Sequence, residues 1–324
     1  MKTVVVFGAG GFIGGHLCDS LLRKGHKVIG VDIKKHEYST IPYTNFLQSD
    51  LRDIEKVREA IPEGADEVYQ LAADMGGATY INAGIYDADV MSNSILINTN
   101  TLKVAVEKGV KKIFYSSSAC VYPEYNQLEP ENPKCSEDSV YPAEPDTEYG
   151  WEKLFSERLY KAFEKQYNLN VRIARFHNIY GPYGTYEGGK EKAPAAICRK
   201  VFLSNGTIDI IGDGKQTRSF LYVTDCINAI EKLMESDFKE PINIGSEEMV
   251  TINRLAEIVT SLSGRSIEFN YISGPQGVRG RNSDNNLIRK VLNWEPSYSL
   301  EQGLHITYDW ISNELKDKLG LDVE

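Results

Sequence analysis

The chain is poor in cysteine and has no long hydrophobic run. Its five cysteines are odd in number and widely scattered, without a C-x-x-C pair: Cys18, Cys120, Cys135, Cys198 and Cys226. This pattern argues against a disulfide framework and against a zinc site, so we expect no metal. No apolar run approaches the ~18 residues of a transmembrane helix, and we expect no membrane-spanning segment.

Positive charge is also scarce. Lys and Arg total 36 against 46 Asp and Glu, which gives a formal net charge of −10 at pH 7. Affinity for a phosphate backbone needs a basic surface, so we expect no nucleic-acid partner. A small anionic ligand needs only a local cluster of cations, so the negative net charge does not exclude such a ligand.

The N-terminus, MKTVVVFGAGG, carries a lysine and an apolar stretch that glycines soon interrupt. No small-residue cleavage site follows, which favours a strand over a signal peptide. We therefore expect a cytoplasmic protein.

The first 115 residues alternate short β-rich runs with helical patterns, beginning with TVVVFG and ending with KKIFYSSS. Repeated β–α units with apolar strands predict a parallel sheet covered on both faces. We expect an α/β fold: a Rossmann-type, doubly wound domain over residues 1–180, with later segments crossing back to it. Residues 181–324 would mainly form a smaller α/β substrate-binding region, with a cleft between the two.

A glycine-rich loop follows the first predicted strand. In VVVFGAGGFIGGHL the glycines lie between a strand and a helix, where they allow a tight turn and close approach to a pyrophosphate. Asp32 ends VIGVD about 20 residues on, where it would meet ribose hydroxyls and repel a 2′-phosphate. This predicts NAD rather than NADP. The predicted cofactor contacts are Gly8, Gly11, Phe12, Ile13, Gly14, Asp32, Asp50, Leu51, Tyr149 and Lys153.

EYGWEK places Tyr149 and Lys153 four residues apart on a predicted helix, and therefore on one helix face. A lysine near a phenol should lower the pKa of the phenol from about 10 towards neutrality. The pair could then take a hydroxyl proton while a hydride leaves the same carbon.

Together, the glycine loop, the serines of FYSSS and the Y-x-x-x-K pair resemble the extended short-chain dehydrogenases/reductases. Several longer stretches are similar to one family among them, the GDP-mannose 3,5-epimerases: LAADMGG, SSACVYPE, RFHNIYGP, GGKEKAPAAICRK, GDGKQTRSF and GVRGRNSDNN. One departure is MGGATYI, where MGGMGFI is more usual in the family.

The resemblance implies an isomerase that epimerises GDP-mannose at C3 and C5 through a 4-keto intermediate, giving GDP-L-galactose and GDP-L-gulose. NAD would stay tightly bound and be regenerated in each turnover. Oxidation at C4 acidifies the C3 and C5 protons, and inversion then needs one group on each face of the ring. The resemblance assigns these roles to Cys120 and Lys192. A thiol, with an ordinary pKa of about 8.5, suits the base.

Lys192 lies just before a predicted helix, since Pro194 suits a first turn. The helix dipole and nearby Lys190 should lower the pKa of Lys192. Ser118 would hydrogen-bond the reacting oxygen beside Tyr149. The resemblance also implies a homodimer through the segments Asp87–Lys108 and Tyr149–Tyr167. The implied sugar-nucleotide contacts are Gly76, Ser118, Ala119, Cys120, Asn178, Glu191, Lys192, Ala193, Lys200, Gln216, Thr217, Arg218 and Arg281.

Three alternatives use part of the same pattern. A UDP- or GDP-hexose 4-epimerase shares the glycine loop, Ser118, Tyr149 and Lys153, but needs neither Cys120 nor Lys192. A 4,6-dehydratase needs an acidic residue after the serine strand, and SSACVYPE has none before Glu124. A non-catalytic dinucleotide sensor would keep the loop but typically lose the Tyr–Lys pair.

Overall fold

The structure is a computed structural model that describes residues 1–274 and 277–321. The apolar strands assemble into a central seven-stranded parallel sheet. Its strands are β1 Thr3–Phe7, β2 Lys27–Asp32, β3 Asn45–Gln48, β4 Glu67–Gln70, β5 Lys112–Ser118, β6 Val171–Phe176 and β11 Ile242–Ile244. Their order across the sheet is β11-β6-β5-β4-β1-β2-β3.

Helices cover both faces of the sheet, because its strands are apolar on both sides. In β1, Val4 and Val6 pack on one face while Val5 and Phe7 pack on the other, as the alternation of side chains along a strand requires. One face carries α1 Phe12–Arg23, α7 Val223–Glu235 and α9 Asn286–Leu292. The other carries α2 Ile54–Ala60, α4 Asp87–Glu107 and α5 Glu148–Tyr167. The predicted doubly wound Rossmann-type fold is confirmed.

The later residues form smaller sheets and a separate core. Their strands are β7 Ile179–Tyr180, β8 Thr207–Ile211, β9 Thr217–Ser219, β10 Leu221–Tyr222, β12 Met249–Thr251, β13 Glu268–Ile272 and β14 Gly280–Arg281. Their core packs the helices α6 Ala193–Leu203, α8 Ile252–Ser263 and α10 Leu300–Leu319 together. A one-turn helix, α3 Ala78–Ile81, follows β4. The domain division at residue 180 stays a prediction.

Among the described residues, no helix combines the length and apolar character that crossing a bilayer requires.

A buried ion pair joins α5 to the sheet beneath the loop that follows β5. Arg175 of β6 donates from Nε and Nη2 to the two carboxylate oxygens of Glu157, each at 2.9 Å. Ser117 also donates to Glu157, at 2.5 Å. Both charged side chains are almost fully buried. The bidentate geometry offsets the cost of removing the two charges from water.

We predict that Arg175→Met lowers the free energy of unfolding by about 3–5 kcal/mol, because it leaves the Glu157 carboxylate buried without its cation. Urea denaturation followed by circular dichroism measures this loss. Arg254→Met is the matched control, since Arg254 pairs with Glu257 at the surface and should cost less than about 1 kcal/mol. Equal losses in the two variants would contradict the prediction.

Candidate active site

The predicted site residues gather at the carboxyl ends of the parallel strands. β1 leads into the glycine loop, β2 ends at Asp32, β5 ends at Ser118, and β6 leads to Asn178. In doubly wound sheets this edge is where ligands bind, because the loops there meet in a crevice.

The glycine loop packs too closely to admit side chains. A Cβ added to Gly14 would lie 2.0 Å from Gly8 O, and one added to Gly10 would lie 2.0 Å from Lys34 O. Gly8 itself has a φ of +82°. The next helix, α1, starts at Phe12 and Ile13, and within the described residues no side chain caps its N-terminus. Its first N–H groups can therefore receive a pyrophosphate.

Asp32 lies beside this loop, at the end of β2. Its carboxylate accepts from Gly10 N at 3.0 Å and from Lys34 N at 3.1 Å. Burial raises the pKa of Asp32, and these backbone donors oppose the rise. A glycine cradle and a carboxylate at the neighbouring strand end fit the pyrophosphate and a ribose of NAD.

Asp50 and Leu51, predicted on the adenine side, follow β3 at the same edge of the sheet. Asp50 pairs with Arg52 at 2.6 Å, and this cation lowers the pKa of Asp50. Leu51 is buried, and its carbonyl accepts from Asn100 Nδ2 at 3.2 Å. Their contact with a cofactor stays a prediction.

Tyr149 and Lys153 lie in the first two turns of α5. Thr147 caps this helix, with its Oγ1 accepting from Gly150 N at 3.2 Å. A Cβ on Gly150 would lie 2.2 Å from Cys120 O, so the helix start packs directly on the turn after β5. Lys153 Nζ donates to Ser116 O at 2.9 Å and lies 5.6 Å from the centre of the Tyr149 ring.

The expected lowering of the pKa of Tyr149 was wrong. Burial raises the pKa of Tyr149, and the charges of Cys120 and Glu152 raise it further. A hydrogen bond with Ser118 and the charge of Arg281 oppose this rise. The pKa of Lys153 is itself lowered by burial. Desolvation outweighs the Tyr–Lys pairing because both groups are almost completely removed from water.

Cys120 lies in a one-turn 3₁₀ helix, Ala119–Val121, immediately after β5. Ser118 Oγ accepts from Cys120 N at 3.2 Å and so starts this turn. Of the five cysteines, all within the described residues, Cys120 alone is partly exposed. Arg281 Nη1 donates to Cys120 Sγ at 3.1 Å. The sulfur is thus held by a hydrogen bond from a charged donor.

Arg281 was predicted among the diphosphate contacts, and the structure places it against Cys120. It is buried, donates from Nε to Gln127 Oε1, and pairs with Asp146 at 3.3 Å. Burial alone would lower the pKa of Arg281, but the charges of Cys120 and Asp146 outweigh it and raise this pKa. Sequence reasoning missed Gln127 and Asp146, because no local motif marks either of them.

Lys192 is the N-cap residue of α6, as its place before Pro194 predicted. Burial lowers the pKa of Lys192, and the charges of Cys120 and Cys226 oppose this shift. The direction agrees with the prediction, but the main cause is desolvation rather than the helix dipole and Lys190. Within residues 1–274 and 277–321, the Lys192 ammonium makes no hydrogen bond or ion pair.

The other predicted substrate residues lie around these groups. Ala119 is buried in the turn with Cys120, and Ala193 starts α6 next to Lys192. Glu191 pairs with Arg199 at 3.2 Å and accepts from Gly189 N at 2.7 Å. A Cβ on Gly76 would lie 2.8 Å from Tyr80 Cβ, so the DMGG loop folds tightly on itself.

Asn178, Lys200 and Gln216, which were predicted to contact the sugar nucleotide, each donate a hydrogen bond to a backbone carbonyl oxygen. Asn178 has a φ of +46° and donates to Ser219 O at 3.0 Å. Lys200 Nζ donates to Asp209 O at 2.7 Å. Gln216 Nε2 donates to Ile211 O at 3.1 Å, and its buried Oε1 has no hydrogen-bond partner among the described residues.

Thr217 and Arg218 continue this side of the site on β9. Thr217 Oγ1 donates to Pro130 O. Arg218 donates to Thr217 O at 2.7 Å. Burial and the neighbouring charge of Arg281 lower the pKa of Arg218 to about 10. Arg218, which is partly buried, and the buried Arg281 therefore lie close enough for their positive charges to repel each other.

Comparison with known proteins places this site in a family. The NAD dependent epimerase/dehydratase family matches residues 4–245. GDP-mannose 3,5-epimerase of Arabidopsis thaliana is 46% identical, over 99% of this chain and 85% of the relative. GDP-mannose 3,5-epimerase 1 of Oryza sativa subsp. japonica is 45% identical over the same shares.

Solved structures of 4-epimerases have the same fold. UDP-glucose 4-epimerase of Thermotoga maritima, solved with UDP-glucose, is 26% identical with a TM-score of 0.84, over 96% of this chain and 99% of that one. UDP-glucuronic acid 4-epimerase of Bacillus cereus, solved with UDP-glucuronic acid and NAD, is 27% identical with a TM-score of 0.80 over the same shares.

The family match covers most of the chain, and relatives 45–46% identical cover nearly all of it. The predicted use of NAD agrees with the family and with the glycine cradle beside Asp32. The resemblance to the extended short-chain dehydrogenases/reductases is therefore confirmed, and the chain belongs to the NAD dependent epimerase/dehydratase family.

Proposed function

We propose that this protein is an isomerase that epimerises GDP-mannose at C3 and C5 through a 4-keto intermediate, giving GDP-L-galactose and GDP-L-gulose. One observation carries the proposal: the thiol of Cys120 and the partly buried ammonium of Lys192 lie within electrostatic reach of each other, beside the Ser118–Tyr149 pair. Relatives named GDP-mannose 3,5-epimerase supply the substrate. A 4-epimerase would need neither Cys120 nor Lys192.

The reaction would begin at C4 of the hexose. The glycine loop and Asp32 would hold NAD, which when bound would supply reversible hydride transfer at C4; we propose that it stays tightly bound and is regenerated in each turnover. Tyr149 would take the O4 proton, with Ser118 holding the same oxygen. The raised pKa of Tyr149 makes its phenolate costly to form, and the charge of Arg281 offsets part of this cost.

The 4-keto sugar would then lose a proton from C5. Cys120, as thiolate, would accept this proton, and the electron pair would pass into the C4 carbonyl as an enolate. Lys192 would give a proton to C5 from the opposite face, which inverts that carbon. Burial lowers the pKa of Lys192 and so makes its ammonium a stronger acid. The same pair would serve C3 once the ring turns to present it.

The cationic cluster would hold the nucleotide diphosphate. Arg218 would gain from a nearby anion, because desolvation and the charge of Arg281 both lower its pKa. Lys200, Gln216 and Thr217 would complete this side of the site. Gln216, Thr217 and Arg218 belong to the motif GDGKQTRSF, and Lys200 ends the motif GGKEKAPAAICRK.

We also propose a homodimer in the cytoplasm. The long helices α4 and α5 pack together and leave large apolar side chains on their outer surface. Leu96 is 48% exposed, Trp151 41% and Phe155 49%. A second copy of the chain would cover these side chains. Light scattering of the purified protein would test the dimer, and cell fractionation would test the cytoplasmic location.

Incubation of the purified protein with GDP-mannose in deuterated water tests the proposed function. We expect deuterium at C5 alone in GDP-L-gulose and at both C3 and C5 in GDP-L-galactose, because inversion through an enolate exchanges the proton of each inverted carbon with solvent. NMR and mass spectrometry read both outcomes, and no NAD needs to be added if the cofactor stays bound. Inversion at C4 alone would contradict the proposal and indicate a 4-epimerase.

We predict that Cys120→Ala lowers deuterium incorporation and 3,5-inversion by about 10²- to 10⁴-fold, the usual contribution of a general base. Oxidation at C4 should continue, and absorbance at 340 nm after substrate addition detects it. Cys198→Ala is the matched control, because it removes a sulfur atom from a buried position in α6. Unchanged inversion in Cys120→Ala would overturn the two-base mechanism.

A further inference from the structure

The loop after β4 contacts the backbone of the segment that precedes Lys192. Gly77 N donates to Lys190 O at 3.0 Å. A Cβ added to Gly77 would lie 2.3 Å from Glu191 O, so any side chain there would displace one of the two segments. The absence of a side chain at Gly77 thus lets the two backbones touch.

Side chains strengthen the same contact. Lys190 Nζ lies 4.0 Å from the centre of the Tyr80 ring and 3.9 Å from Asp74 Oδ1. Tyr80 Oη donates to Asp74 Oδ1 at 3.2 Å, so the ring and the carboxylate hold each other in place beneath the ammonium. We call these three residues, with Gly77, the Lys190 clasp. The cation–π contact and the ion pair each stabilise it modestly, because Lys190 is partly exposed.

On its other side, this segment is attached to α6. Glu191 pairs with Arg199 of that helix. Before it, Gly188 and Gly189 have φ values of +89° and +85°, and a Cβ on either would meet nothing within 4 Å. The chain entering the segment is therefore loosely packed. The clasp supplies the second attachment of the residues immediately before Lys192.

Lys192 depends on such an attachment, because its own ammonium makes no hydrogen bond or ion pair with the part of the chain that the structure describes. A side chain without partners is oriented by its backbone and by packing alone. A displacement of about 1 Å at a reacting group can cost 10²-fold in rate. Small shifts of Lys190 and Glu191 would be transmitted directly to the next residue.

We propose that Tyr80 and Lys190 are positioning residues that hold Lys192 at the face of the sugar where it returns the proton. The inference rests on the proposed function, because it concerns one of its steps. Cys120 removes the C5 proton, and the thiol exchanges it with solvent. When Lys192 is held in place, it protonates the opposite face and C5 is inverted. When Lys192 is displaced, the thiol returns a deuteron to the original face, so C5 exchanges its proton without inverting.

The test compares Tyr80→Leu and Lys190→Met with the unsubstituted protein, using GDP-mannose in deuterated water. We measure the ratio of C5 deuterium in recovered GDP-mannose to C5 deuterium in inverted product. Each variant should raise this ratio about tenfold or more, while total deuterium uptake changes by less than about threefold. Tyr80→Phe keeps the ring under the ammonium and should keep the ratio near that of the unsubstituted protein.

Lys239→Met is the matched control. Lys239 and Lys190 are both about half exposed, at 53% and 50%, and their carboxylate partners lie at 3.8 and 3.9 Å. Lys239 has its partner, Glu164, on α5, and its loss should leave the ratio unchanged. The positioning role would be overturned if exchange and inversion fell together in Tyr80→Leu and Lys190→Met while the ratio stayed constant. An unsubstituted protein that neither exchanges nor inverts would contradict the proposed function itself.

Discussion

The contact between Arg281 Nη1 and Cys120 Sγ joins two parts of the chain that lie 161 residues apart. Arg281 comes from β14 in the later region, and Cys120 follows β5 of the central sheet. The guanidinium is buried, and Asp146 and Gln127 bind its remaining donors. A buried cation that loses a partner is strongly destabilising, so these groups are held together and the sulfur is fixed in one place. The proposed chemistry requires such a fixed sulfur.

Burial sets the electrostatics of the site as much as pairing does. It raises the pKa of Tyr149 and lowers the pKa of Lys153 and Lys192, so it favours the neutral form of all three. In the proposed reaction, burial therefore makes the Tyr149 phenolate costly and makes the Lys192 ammonium a stronger acid. Under the proposed function, Arg218 would bind the diphosphate, and the charge of Arg281 would add to the positive potential beside it.

Local sequence signals predicted a large part of this arrangement. The glycine loop, Asp32 at the end of β2, the start of α5 and the position of Lys192 before α6 each depend on a few neighbouring residues. The doubly wound sheet was predicted from the alternation of apolar strands with helical segments along the sequence. These features require no knowledge of distant contacts.

Contacts between distant segments could not be predicted in this way. The sequence alone gave no reason to join Arg281 to Cys120, Gln127 and Asp146, or Lys190 to Tyr80. The pKa of Tyr149 was predicted in the wrong direction for the same reason, since helix spacing reveals the neighbouring lysine but not the extent of burial. Tyr80 belongs to MGGATYI, the one stretch noted as a departure from the family pattern, and its role appears only in the folded chain.

The central claim is that two proton-transfer groups flank the hexose, and a crystal structure of the protein with NAD and GDP-mannose tests it most directly. The account predicts Cys120 Sγ and Lys192 Nζ on opposite faces of the ring, each about 3–3.5 Å from C5 or its proton, with O4 at Tyr149. Both groups on one face, or a ring that presents only C4 to the site, would contradict it.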